Sequence, residues 1–377
     1  MSRTARRRAG ISATHRALAT SLLASLTLSA CGSSTGHREA PRPAPRLSTA
    51  ALERRLGQLI VGRFDGTAPS QAFLARVRAG ELGGVILFSG EETATAGAVR
   101  RTVEQLQAAA AAGHNAPLLI MTDQEGGEVR RLPWAPPELA PAAMVSVALA
   151  RHEGERTGAA LRSVGVNVDL APVADVARAG SSFLGDRSFG GDPRVAGERA
   201  CGFAQGLEAA GVGFALKHFP GLGSAAASTD EQAVTLDAPS AQLRSDYDAY
   251  LLCGAMRKAL VMVSSAIYPG LTGARLPAVL SPAIYRRELP FATGASPVTI
   301  SDDLQARALA ADRAPGRTAL DAGLDLLLYA RTEAGSARAF TTLRRELRSG
   351  ALSRPQLARA ESAVRRLKGL LGAVGRS

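Results

Sequence analysis

From Leu52 onward, short apolar runs alternate with Ala- and Arg-rich stretches of helical length. That alternation predicts repeated β-α units around a parallel sheet, since a strand buried on both faces reads as continuous apolar sequence and its crossover helix does not. Eight candidate strands lie at 58–64, 84–88, 117–122, 166–173, 213–219, 260–265, 297–301 and 324–329. Eight such units predict a closed (β/α)8 TIM-type barrel; an open doubly wound sheet is the alternative that pattern alone permits. The fifth unit organises the rest. Residues 213–232 read GFALKHFPGLGSAAASTDEQ: an apolar run ends in Lys217 and His218, breaks at Pro220 and Gly221, and enters a small-residue loop carrying Asp230 and Glu231. Strand ends of this kind face the mouth of a barrel, where its chemistry is presented.

The start of the chain has a different pattern. Residues 1–30 join a basic beginning to an apolar stretch from Ala17 to Ala30, short for a transmembrane helix and suited to a signal-peptide core. Leu28-Ser29-Ala30-Cys31, followed by Gly32, resembles the bacterial lipoprotein processing site. That resemblance implies lipidation of Cys31, membrane contact through the lipid, and export to the outer face of the cytoplasmic membrane. Residues 31–48, with Pro41, Pro43 and Pro45, read as a disordered tether, which leaves 49–377 for one barrel domain. The formal charge of +12 does not point to nucleic acid, because Arg3, Arg6, Arg7, Arg8, Arg16, Arg38, Arg42 and Arg46 lie in the leader and tether and no reader motif accompanies them. Cys201 and Cys253 fall on helical stretches of neighbouring units. Export would permit a disulfide between them, and the sequence leaves open whether they meet. No ligand cluster or nucleotide-binding glycine loop stands out, so neither a metal nor an organic cofactor is expected.

Polar residues gather at the ends of the candidate strands. The third is followed by DQEGGEVRR, residues 123–131, in which carboxylates beside two glycines and an arginine fork can approach sugar hydroxyls closely. The fourth contains Asn167 and Asp169, which need hydrogen-bond partners if buried and are read as structural, with Asp175 near the mouth. Beyond it lies Asp186-Arg187-Ser188-Phe189-Gly190. The seventh ends Ser301-Asp302-Asp303-Leu304, and because successive residues on a strand point to opposite sides, one acid can face the barrel axis while its neighbour turns away.

Taken together, DQEGGEVRR, DRSFG, KHFPG and SDDL resemble the motifs of glycoside hydrolase family 3, in particular the NagZ-like β-N-acetylglucosaminidases. The resemblance implies a closed barrel, a glycan substrate and a retaining mechanism with Asp302 as the nucleophile. It also implies that Asp123, Arg131, Arg187, Lys217 and His218 bind the sugar, with Asp303 as a loop or capping residue. Glu128 stands where many relatives carry arginine, which bears on subsite preference.

One part of the pattern is missing. Relatives continue KHFPGHG into a loop ending Asp-Ser-His, whose aspartate and histidine form the acid/base dyad; here the same positions hold Ser228 and Asp230. His15, His37, His114 and His152 fall in the leader, the tether, the approach to the third strand and a helix, so none is expected at the mouth. A carboxylic acid is then expected to move the proton, Asp230 first and Glu231 second. At neutral pH such an acid would need burial, expected from loop closure over substrate, to raise its pKa. Two other readings remain open at this stage, a lipid-anchored glycan-binding protein with a degenerate site and a glycoside phosphorylase.

Overall fold

The computed structural model describes residues 48–178 and 182–372. The expected signal peptide, the lipidation at Cys31 and almost all of the tether lie outside the described residues. Within them eight parallel strands form one sheet: β1 (Ile60–Gly62), β2 (Gly84–Leu87), β3 (Leu119–Thr122), β4 (Val168–Asp169), β5 (Gly213–Phe219), β6 (Ala259–Val263), β7 (Val298–Ser301) and β8 (Leu327–Tyr329). Each strand from β1 to β6 pairs with the next in sequence, and β8 pairs with β1 through Ile60↔Leu327 and Gly62↔Tyr329. The ring closes between β7 and β8, where Leu326 N donates to Thr299 O at 2.9 Å and Leu304 N to Leu328 O at 2.9 Å. This is the closed barrel, and the open sheet is ruled out.

The strands are apolar because both of their faces are covered. Ile60, Val61, Val85, Leu119, Ile120, Val168, Leu216, Leu260 and Leu327 are all fully buried. The fourth strand is shorter than its apolar run. Pro172 has no N–H to give to a ladder, so regular pairing stops before it and resumes as a single bridge from Val173 to Lys217. Around the ring, helices start where a hydroxyl or carboxylate can accept a free N–H. Thr95, Ser146, Asp192, Thr332 and Ser353 all cap in this way, the last of them by accepting from Gln356 N.

Two neighbouring helices, Val147–Ser163 and Pro193–Ala209, approach so closely that side chains are excluded between them. A Cβ on Gly154 would lie 2.2 Å from Phe203 O, and one on Gly206 2.3 Å from Arg151 O. The floor of the barrel is closed by the first helix, Thr49–Gly57, and the last, Arg354–Leu370. Lys368 is buried there and donates to Gln58 Oε1 at 2.7 Å, while the Leu371 side chain lies against the start of β5 at Gly213.

Candidate active site

The C-terminal strand ends surround a cavity of about 340 Å³. Its deepest part is an ion-pair network. β3 ends in Asp123, and the next residues fold back as a small antiparallel hairpin, Gln124–Gly126 against Val129–Arg130. Gly126 has φ +104° and a Cβ there would lie 2.2 Å from Leu139 O, so this tight reversal needs glycine. The hairpin is held from below and within. Gln124 N donates to Asp169 Oδ1 at 3.0 Å, and the Gln124 amide donates to Leu132 O and Ala135 O while accepting from Leu132 N, each at 3.0 Å.

Glu125, buried in the first strand of the hairpin, gathers the cations. Lys217 Nζ sits 2.7 Å from Glu125 Oε1 and 2.7 Å from Asp123 Oδ1, and Arg187 forks onto the Glu125 carboxylate through two bonds of 2.8 Å. Burial alone would raise the Glu125 carboxyl; the Lys217 ammonium and the Arg187 guanidinium outweigh it and hold its pKa at about 2. Burial likewise opposes the charge on Lys217, and Asp123 and Glu125 more than restore it. Asp169 lies just beneath. Burial pushes it well above the usual carboxylate range, its Oδ1 accepts Gln124 N, and its Oδ2 has no hydrogen-bond partner. Together with Asn167, which accepts from Ile120 N and donates to Leu118 O, it serves the structural role read from sequence.

His218 is fixed by a carboxylate. Asp175 Oδ1 accepts the backbone N–H groups of His218 and Leu222, and its Oδ2 lies 2.7 Å from His218 Nδ1. With Nδ1 committed to that acceptor, Nε2 is the ring nitrogen left for a ligand, and the residue lines the cavity. Arg131 lies on the wall with its guanidinium 5.6 Å from the centre of the Phe88 ring, and its buried Nε has no protein partner. A buried donor left in this way is disposed to meet a ligand oxygen.

Across the cavity, Asp302 follows β7. Its N–H donates to Val263 O at 3.1 Å, it is half-buried, and it lines the wall. Asp303 also touches the cavity, but its Oδ1 accepts from Gln305 N at 3.1 Å and Ala330 N at 3.0 Å, so it ties two loops together as expected. The loop after β5 leans against this segment: Ala308 N donates to Thr229 O, while Arg307 N and Arg331 Nη2 donate to Asp230 O. It brings Asp230 onto the wall with Asp302 and His218. Asp230 is exposed as a residue, yet local desolvation of its carboxyl and the negative charges of Asp302 and Asp303 push its pKa up to about 6. The shift expected only on loop closure is therefore present in the open cavity. Glu231, the second choice, does not line it.

A family model for the glycosyl hydrolase family 3 N-terminal domain matches residues 51–368. The chain belongs to glycosyl hydrolase family 3. Among family relatives, it is 30% identical over 335 residues to an uncharacterized secreted glycosyl hydrolase of Arthroderma benhamiae, covering 85% of this chain and 94% of that one. It is 32% identical over 330 residues to the β-hexosaminidase LpqI of Mycobacterium tuberculosis, covering 84% and 82%. The solved family 3 β-N-acetylglucosaminidase from Paenibacillus sp. str. FPU-7 superposes with a TM-score of 0.79 at 27% identity, covering 86% of this chain and 64% of that one, so this chain spans just under two thirds of that protein.

As a family 3 site it brings together Asp123, Arg131, Arg187, Lys217, His218, Asp230 and Asp302, all on one cavity. Sequence reading overlooked Glu125 as the hub for Lys217 and Arg187, although it stands inside the DQEGG motif, and Arg331 as the brace of the Asp230 loop. It left Asp175 without its role as the partner of His218. Among the described residues no group of three or more His, Cys, Asp or Glu side chains is arranged to hold a metal ion.

Proposed function

We propose that the protein is a retaining exo-β-N-acetylhexosaminidase that removes terminal N-acetylglucosamine-type sugars from cell-wall or other glycans after export. The names of its family relatives support the sugar class. The observation that carries the mechanism is the meeting of Asp302 and Asp230 on one wall, with the pKa of Asp230 near 6. Asp302 attacks the anomeric carbon as the glycosidic bond breaks, and Asp230 passes its proton to the departing oxygen. The resulting Asp302 glycosyl ester is then hydrolysed by water, which returns a proton to Asp230. Asp123, Lys217, Arg187, Arg131 and His218 hold the sugar hydroxyls, and the lipid on Cys31 keeps the enzyme at the outer face of the membrane.

Loss of the histidine dyad, with Ser228 and Asp230 in its positions, is the observation that favours a second reading, a glycan-binding protein with slow turnover. A panel of 4-nitrophenyl β-glycosides on residues 48–377, with Asp302→Ala as the blank, tests both readings. Turnover that is fastest on the N-acetylglucosaminide and absent in the blank is expected. Binding without release of nitrophenol, and without label on Asp302 from a mechanism-based fluoro-sugar, would replace hydrolysis with the second reading. Product appearing as a sugar phosphate only when phosphate is supplied would identify a phosphorylase.

A further inference from the structure

The outer helices hold a second feature that hydrolysis does not use. Helix Pro193–Ala209 follows β4 and the short helix Asp248–Cys253 follows β5, so both sit outside the ring in the same crossover layer. They touch through a glycine: a Cβ on Gly197 would lie 2.8 Å from Ala249 N and 2.8 Å from Asp248 Cβ. Helices following successive parallel strands run alongside one another, so one turn beyond the 197/249 contact residue 201 comes opposite residue 253. Those residues are the two cysteines. Both are free thiols in this structure and buried, at 4% and 1% exposure, and each lies near enough to shift the titration of the other. Cys253 Sγ also donates to Ala249 O at 3.2 Å, and Cys201 Sγ receives Gln205 Nε2 at 3.8 Å.

We propose that Cys201 and Cys253 are joined by a disulfide in the exported protein, stapling two neighbouring barrel helices. The oxidant is a disulfide of the compartment. During folding, before the helices close over them, one of the two cysteine thiolates attacks that disulfide and releases one thiol, and the other thiolate then displaces the second. Two protons and two electrons leave on the two released thiols, and one S–S bond stays with the protein. The covalent loop encloses Lys217, His218 and Asp230, so it would restrain the part of the unfolded chain that carries most of the catalytic unit.

The test is made on the full chain recovered from the cell envelope of an exporting bacterial host, denatured in iodoacetamide without reductant and digested with trypsin. The expected result is a linked pair of peptides, 200–217 with 245–257, whose mass is lower by two hydrogens than the sum of the separate thiol peptides. Reduction should split them, and Cys201→Ser should leave Cys253 alkylated. Quantitative alkylation of both cysteines in the unreduced wild type, or either one linked to a different cysteine, would overturn the proposal.

Discussion

Asp230 occupies a position where relatives are expected to carry histidine, and its surroundings give a carboxyl a pKa close to that of an imidazole. Desolvation and the charge of Asp302 push it to about 6. A general acid must be protonated to act, so kcat/KM for a substrate with a poor leaving group is expected to fall as pH rises through about 6. Asp230→Asn should abolish that limb and lower kcat/KM on natural linkages by about 10²- to 10⁴-fold, while 2,4-dinitrophenyl glycosides lose little in the first step. Equal losses of kcat/KM on both substrates would remove Asp230 from the role. Glu125 makes a different prediction at the same scale. Its carboxyl is held lower in the folded chain than in the unfolded one, so its contribution is present above about pH 4.5 and is lost as pH falls toward 2. Glu125→Gln is expected to destabilise by about 3 kcal/mol at pH 7 and to flatten the acid limb of stability against pH, measured by urea unfolding.

Among the elements, the strands were the most legible. Continuous apolar runs marked all eight because parallel strands are covered on both faces, although regular pairing takes up only part of several runs, Ile60–Gly62 of 58–64, Leu327–Tyr329 of 324–329 and, before Pro172, Val168–Asp169 of 166–173. The site followed where a motif ended a strand: Lys217, His218 and Asp302 stand where KHFPG and SDDL predicted them. What stayed hidden depended on contacts between units. Glu125 meets Lys217 and Arg187 only once the third, fourth and fifth units close into a ring, and no local periodicity encodes that. The close pair of helices, Val147–Ser163 and Pro193–Ala209, was hidden in the same way. Their glycines read from sequence as weak helix formers, yet in the fold Gly154 and Gly206 let two backbones touch. Gly206→Val should therefore cost about 3 kcal/mol despite its better fit to an apolar face, with a matching fall in thermal midpoint by calorimetry. A stability change below about 0.5 kcal/mol would show that the helices can part without loss.

For the molecule as a whole, the ring depends on joining its beginning to its end, and Lys368 is buried where they meet. Burial lowers its pKa to about 7, so between pH 7 and 10.5 the unfolded chain binds a proton that the folded chain does not. Stability should therefore rise with pH across that window. Lys368→Met is expected to add about 1–2 kcal/mol at pH 7 and nothing above about pH 10.5, as read from urea midpoints at several pH values.

Because the first and last helices both close the floor, each end of the barrel departs from the side away from the sugar cavity. A bead, a fused partner or a solid support attached at residue 48 or residue 372 thus meets the underside and leaves the entrance clear. Enzyme immobilised through either end should work with an unchanged KM, and a graft within 222–232 should not.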